Sequence, residues 1–294
     1  MKPSHWYSEG ELLEVEGYQL FVRTTGQGAP LIALHGMPGS SWMWHKLAPS
    51  LEEDWRLITP DLLGFGYSEK PPDERYSVVS QADRVETLVR EWELDGFHLM
   101  GHGYGAMIAA ELLARAQGRE RENIPGPDPR SLFLINPPLF PEIMGVPATE
   151  SWLAGRLGGL LRWAGTRNLF WKYLNQISGP YSRPTPAEVA HLWRLMNRNQ
   201  GRWIWPELAK WSKELHRRGN RWSKAVKESE RPVHIVAGPE DPIAGHRMES
   251  AFRRTLPDHP RTLIGKLGHA PHFEGHDKLL EAIEEFTDEV RNAH

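Results

Sequence analysis

The chain has no cysteine, which excludes disulfides, thiolate nucleophiles and zinc–thiolate sites and fits a reducing compartment. Nor does it hold an uninterrupted apolar run near the ~20 residues that a spanning helix needs. Its first residues, MKPSHWYSEGELLEVEG, lack the apolar centre of a signal peptide. A surplus of one charge sign is missing too. Lys and Arg total 35 against 38 Asp and Glu, a net charge of −3, so the overall balance argues for neither nucleic acid nor an anionic membrane. The expectation is a cytoplasmic monomer or homodimer acting on a small-molecule substrate, with no nucleic-acid or membrane partner and no cofactor.

What is present is enough chain, 294 residues, for one large core or a core with an insertion. Short apolar runs of β type alternate with helical patterns, and that rhythm predicts an α/β fold. LLEVEGYQLFVRTTG reads as a hairpin. LIALHG, RLITPDLLG, FHLMG, SLFLIN, PVHIVAG and RTLIGKLG read as buried strands. Between them SVVSQADRVETLVREWEL, YGAMIAAELLARAQ and KLLEAIEEFTDEVRNAH repeat apolar residues at three and four.

Residues 139–231 break the rhythm. They lack a convincing buried strand and hold eight of the 13 Trp, with 16 Lys plus Arg against 7 Glu, a local charge of +9. We expect a helical cap here, inserted after the sixth strand, with residues 1–138 and 232–294 forming the core domain. The bland reading packs the cap's aromatics on the core and its cations on an acidic neighbour; an acidic partner is the alternative.

The stretch LMGHGYGAMIAAELL carries the chemistry and its puzzle. Strand, sharp turn and helix follow one another as a nucleophile elbow requires, with Gly101 and Gly105 allowing close approach, yet the central residue is Gly103. Glycine accepts the strained backbone of such a turn at little cost. It has no atom with which to attack. The remaining parts follow in the order nucleophile, acid, histidine: Asp241 in VAGPEDPIAG just beyond a strand, and His269 in KLGHAPHFEGH after the last one. The turn in LIALHGMPGSSW offers the Met37 amide, to be paired with that of Tyr104, as an oxyanion hole. Three imidazoles, His269, His272 and His276, crowd one loop, but their spacing fits no common zinc motif, so no metal is expected.

In HGMPGSSWMW, DLLGFGYSEKP, GHGYGA, GPEDP and GHAPHFEG the chain resembles α/β-hydrolase-fold proteins of the epoxide hydrolase and haloalkane dehalogenase branch, and within it the mesoderm-specific-transcript type. The resemblance implies a mostly parallel central sheet flanked by helices. It implies Asp, or in some relatives Ser, where this chain has Gly103. With Asp, a carboxylate would form an alkyl ester that water, activated by His269 and oriented by Asp241, hydrolyses; with Ser, acyl transfer would result.

The resemblance also makes the cap tyrosines Tyr173 and Tyr181 candidate donors to an opening epoxide oxygen, against the alternative that they simply pack. Asn136 is a candidate halide or substrate contact, or else a turn residue. His35 and Trp42, flanking the oxyanion turn, complete the expected substrate-binding set, with His35 read as a brace for that turn ahead of any part in proton transfer. Epoxide opening or ester hydrolysis ranks above dehalogenation, because Tyr104 and Met37 stand where dehalogenases of this kind carry halide-binding Trp and Asn. A chain disabled at Gly103, a natural ligand binder that keeps the pocket, and direct activation of water by His269 remain as functional readings.

Overall fold

The computed structural model describes residues 1–180, 183–243, 245–257 and 259–292. Each apolar run becomes a strand: β1 (Gly10–Val15), β2 (Tyr18–Thr25), β3 (Ala29–Leu34), β4 (Trp55–Pro60), β5 (Phe97–His102), β6 (Pro129–Ile135), β7 (Val233–Ala237) and β8 (Arg261–Leu263). They form one sheet in the order β1-β2-β4-β3-β5-β6-β7-β8. β2 runs against both neighbours, and from β4 to β8 every pairing is parallel. The central strands are mostly apolar because helices cover both faces; every residue of β5 and β7 is buried, His98, His102 and His234 included.

Chain order reverses at β3, which has β4 on one side and β5 on the other. A parallel sheet opens a crevice at such a reversal, beyond the carboxyl ends of its strands. There the turn after β3, the elbow after β5 and the loops after β7 and β8 converge.

Three helices matter for the site. Helix α1 (Val78–Glu91) starts at a capping box in which Ser77 and Ser80 satisfy each other's free backbone groups. Helix α2 (Tyr104–Glu122) springs directly from the elbow. Close packing of α2 on the sheet needs the two flanking glycines: a Cβ on Gly101 would lie 2.7 Å from Ala106 Cα, and one on Gly105 would lie 2.1 Å from the Leu34 carbonyl oxygen.

Between β6 and β7 the described elements are all helical. The last of them, α3 (Trp211–Lys227), lies against α2 and ties this segment to the core. Trp222, fully buried, donates its indole N–H to Glu111 Oε2 at 2.8 Å, and Arg221 approaches the same oxygen at 3.2 Å. Glu214 accepts from the Val78 amide at 2.6 Å, which joins α3 to the start of α1. The expectation that the segment's aromatics pack inward holds for Trp205, Trp211 and Trp222. It fails for Trp152, Trp163, Trp171 and Trp203, whose rings are exposed. The short helices that carry the first three leave one side without a neighbour among the described residues.

Candidate active site

At the turn between β5 and α2, Gly103 has φ 52° and ψ −110°, a conformation that costs a side chain of ordinary chirality about 1–3 kcal/mol. Its amide donates to the Ile135 carbonyl at 3.0 Å, so the turn is anchored to β6. A Cβ built on Gly103 would stand 3.4 Å from His269 Nε2 and 3.5 Å from its Cε1, ordinary contact distances. An attacking side chain at this position would therefore meet the imidazole.

On its other edge the imidazole is held by a carboxylate. His269 Nδ1 lies 2.9 Å from Asp241 Oδ2, and Asp241 Oδ1 accepts from the Ile243 amide at 2.8 Å. Both side chains are nearly inaccessible to water. Burial disfavours the imidazolium, but the Asp241 charge and its hydrogen bond, helped by Glu150 and Glu274, outweigh that and raise the His269 pKa. Nε2 is thus a base aimed at the Gly103 position.

The His269 loop is fastened from several sides. Its amide donates to the Ile177 carbonyl at 2.8 Å, and Glu274 accepts from the amides of Gly179, Gly268 and Ala270 at 2.7, 2.7 and 3.0 Å. His102 Nε2 donates to the His269 carbonyl at 2.6 Å. The crowded imidazoles take separate tasks. His272 is buried between Trp44 and His102, His276 pairs with Asp277 at 3.2 Å, and among the described residues no group of three potential ligands is placed to hold a metal ion.

Met37 and Tyr104 come together beside Gly103. Both line a notch of about 20 Å³ bounded also by Pro138, Glu150, Trp211 and His269, room for about one water. Tyr104 is the first residue of α2, so the helix offers its N–H no acceptor; its hydroxyl is used elsewhere, on the Tyr76 carbonyl at 2.9 Å. Above the notch lies a mostly apolar cavity of about 380 Å³, bordered by Met37, Glu150, Leu169, Tyr173 and Trp205, the size of a small-ligand site.

Three expected substrate contacts lie away from the notch and the cavity above it. His35 is fully buried, its Nδ1 on the Gly36 carbonyl at 2.9 Å and its Nε2 accepting from the Leu62 amide at 3.1 Å, so it joins the turns after β3 and β4. Trp42 stacks on His45 at 4.2 Å and meets His191 edge-on at 4.6 Å. Asn136, at φ 44°, donates from Nδ2 to the Gly268 and His269 carbonyls, both at 3.0 Å, and accepts from the Gly238 amide at 2.8 Å. It staples the ends of β6 and β7 to the His269 loop. None of the three borders the notch or the cavity above it. Tyr181 lies outside the described residues.

Tyr173 does border the cavity, and there it meets a residue that the motifs did not single out. Its hydroxyl makes a short hydrogen bond to Glu150 Oε1, while Trp211 donates to Oε2 at 2.6 Å. Burial pushes the Glu150 carboxyl up, against the pull of these two bonds and of His269. Glu150 and Met37 are the two residues that border both the notch and the larger cavity. ATESW matches no pattern, so only tertiary structure reveals this carboxyl.

A sheet with this order, an elbow after its fifth strand and an Asp–His pair beyond its last two agree with the family model described as the alpha/beta hydrolase fold, which matches residues 29–276. The chain belongs to the α/β-hydrolase family. This α/β-hydrolase is 30% identical over 290 residues to the mesoderm-specific transcript protein of Mus musculus, spanning 94% of this chain and 85% of that one. It is 38% identical over 98 residues to the soluble epoxide hydrolase of a Corynebacterium species, 32% of this chain and 33% of that one. Among solved structures, a thermophilic esterase from Thermogutta terrifontis superposes with a TM-score of 0.75 at 21% identity, covering 96% of this α/β-hydrolase and 98% of the esterase. At that identity the likeness is one of fold alone. Among the described residues no helix of this α/β-hydrolase is long and apolar enough to cross a membrane.

Proposed function

We propose that this chain is a nucleophile–histidine–acid hydrolase scaffold for small, largely apolar substrates, closest in chemistry to epoxide hydrolases, in which Gly103 holds the position of the nucleophile. The chain as it stands then binds substrate without turning it over. The observation that carries this reading is the 3.4 Å from a Gly103 Cβ to His269 Nε2, with Asp241 behind the ring. A protein that only binds has no need of a base so placed.

With Asp at 103, its carboxylate would attack one epoxide carbon, the carbon–oxygen bond would break, and the released alkoxide would take a proton from Tyr173. His269 would then remove a proton from water, whose oxygen attacks the ester carbonyl and frees a diol and the carboxylate. Glu150 supports the role of Tyr173. Its Oε1 accepts from the Tyr173 hydroxyl and so holds the phenol at the border of the cavity; after the alkoxide is protonated, the proton that His269 takes from water would return to the phenolate. The amides of Met37 and Tyr104 would stabilise the oxyanion during ester hydrolysis.

The test is paired restoration. Gly103→Asp is expected to open epoxides and to accumulate an alkyl adduct, visible by mass spectrometry, when His269→Gln is added. Gly103→Ser active on esters, with Gly103→Asp silent, moves the scaffold to the esterase or lactonase class. If both variants fold, bind ligand and remain inactive on epoxides, haloalkanes and esters, the scaffold is a binding protein and the hydrolase reading is lost.

A further inference from the structure

From Ser151 to Ala187 the chain contains no Asp or Glu, but it has five cations: Arg156, Arg162, Arg167, Lys172 and Arg183. The same stretch carries six exposed large apolar side chains between residues 152 and 171, among them Trp152 and Leu157 at 64%, Leu160 at 71% and Trp163 at 57%. Single exposed leucines are ordinary; such a concentration marks a surface that something covers. These residues sit on three short helices, Ala148–Leu153, Gly158–Ala164 and Arg167–Ile177, and on the turns beside them. Trp163 meets Trp203 edge-on at 5.5 Å, and the Arg162 guanidinium lies 3.9 Å from the Trp203 ring. The aromatic part of the patch is therefore ordered before anything binds it.

We propose that this face of the cap docks on an anionic lipid bilayer, with the tryptophans and leucines at headgroup depth and the arginines and Lys172 on lipid phosphates and carboxylates. Charge selects the occupant. A second copy of the chain would set cations against cations across the contact, whereas an anionic surface complements all of them. A stretch of tryptophan, leucine and arginine that carries no Asp or Glu of its own has the composition of segments that lie in an interface rather than span it. The overall charge of −3 hides this asymmetry by averaging it with an acidic core.

Trp152, Leu169 and Lys172 also border the 380 Å³ cavity. Docking would set that cavity against the acyl layer, where apolar molecules concentrate. The surface itself is independent of the chemistry at Gly103, so its failure and that of the hydrolase reading are distinguishable.

The experiment is co-sedimentation of the full chain with phosphatidylcholine vesicles and with phosphatidylserine-rich vesicles, at low and high salt. We expect binding to the anionic vesicles that weakens with salt. At about fivefold per cation removed, the Arg156→Ala, Arg167→Ala double variant should bind about 25-fold more weakly. Leu160→Glu, a change at an exposed position, should abolish binding while leaving the circular dichroism spectrum and thermal midpoint unchanged. Several results would overturn the proposal: no binding to anionic vesicles at low salt, equal binding to neutral ones, or variants that bind as well as the parent. Concentration-dependent self-association removed by Leu160→Glu would assign the face to a second copy instead.

Discussion

Gly103 relieves a strain that a reactive side chain would have to bear. Introducing Ala there adds no chemistry but forces a Cβ into φ 52°, so Gly103→Ala should lower stability by about 1–3 kcal/mol. Urea unfolding with an unchanged m-value would register the loss as a shifted midpoint. An unchanged midpoint would mean the elbow is not strained. Asp241 and His269 were legible in the sequence because each lies just beyond a strand, where geometry leaves few places to go. Side chains beside the reacting centre were less legible: nearness in sequence locates His35, Trp42 and Asn136 but not the direction of their rings and amides. The hydrogen bonds of His35 and Asn136 turn inward, because a buried polar group without a partner is costly, and the Trp42 ring stacks on His45. Glu150 was illegible for the opposite reason, lying in no motif and reaching the notch only through the packing of the helical segment between β6 and β7.

The contact between α2 and α3 holds the insertion in place. Its polar centre is a buried carboxylate, Glu111, which accepts from Trp222 and pairs with Arg115 at 3.1 Å and Arg221 at 3.2 Å, and Gln117 adds a bond to the Ala225 carbonyl at 2.8 Å. Glu111→Ala would leave the Trp222 N–H unpaired in the interior and is expected to destabilise by about 2–4 kcal/mol. Glu111→Gln should recover part of that loss by restoring an acceptor. Equal midpoints for the Ala and Gln variants in chemical denaturation would remove the tryptophan bond from the account. Strands were readable at this scale because each is a short apolar run bounded by turn residues. The side on which the cap's tryptophans lie was not, since a Trp-rich helix reads the same whether its ring faces the core or the solvent.

Taken whole, the molecule buries several imidazoles in neutral form. Burial lowers the pKa of His35, and lowers those of His102 and His272 well below the usual value; His45 and His191 are each lowered to about 4. Unfolded, these groups titrate near 6.5. Below that pH the unfolded chain takes up protons that the folded one refuses, so stability should fall as pH drops from about 6.5 towards 4, by up to about 1.4 kcal/mol per pH unit for each such histidine. His269 works in the other direction: its raised pKa contributes stability that is full below 6.5 and fades as pH rises through its folded value. Lowered imidazoles outnumber it, so urea midpoints should decline from pH 7.5 to pH 5, with proton uptake on unfolding measurable in a weakly buffered solution. A flat profile would count against neutral burial of this set.

The notch and the larger chamber border one another along Met37 and Glu150, and their volumes differ about nineteenfold. On the proposed function, selection here would be by girth: a compound would have to taper, with a slender reactive tip for the histidine and its bulk trailing behind. Molecules branched at the tip should lodge in the antechamber and act as plugs, whatever side chain is placed on the elbow.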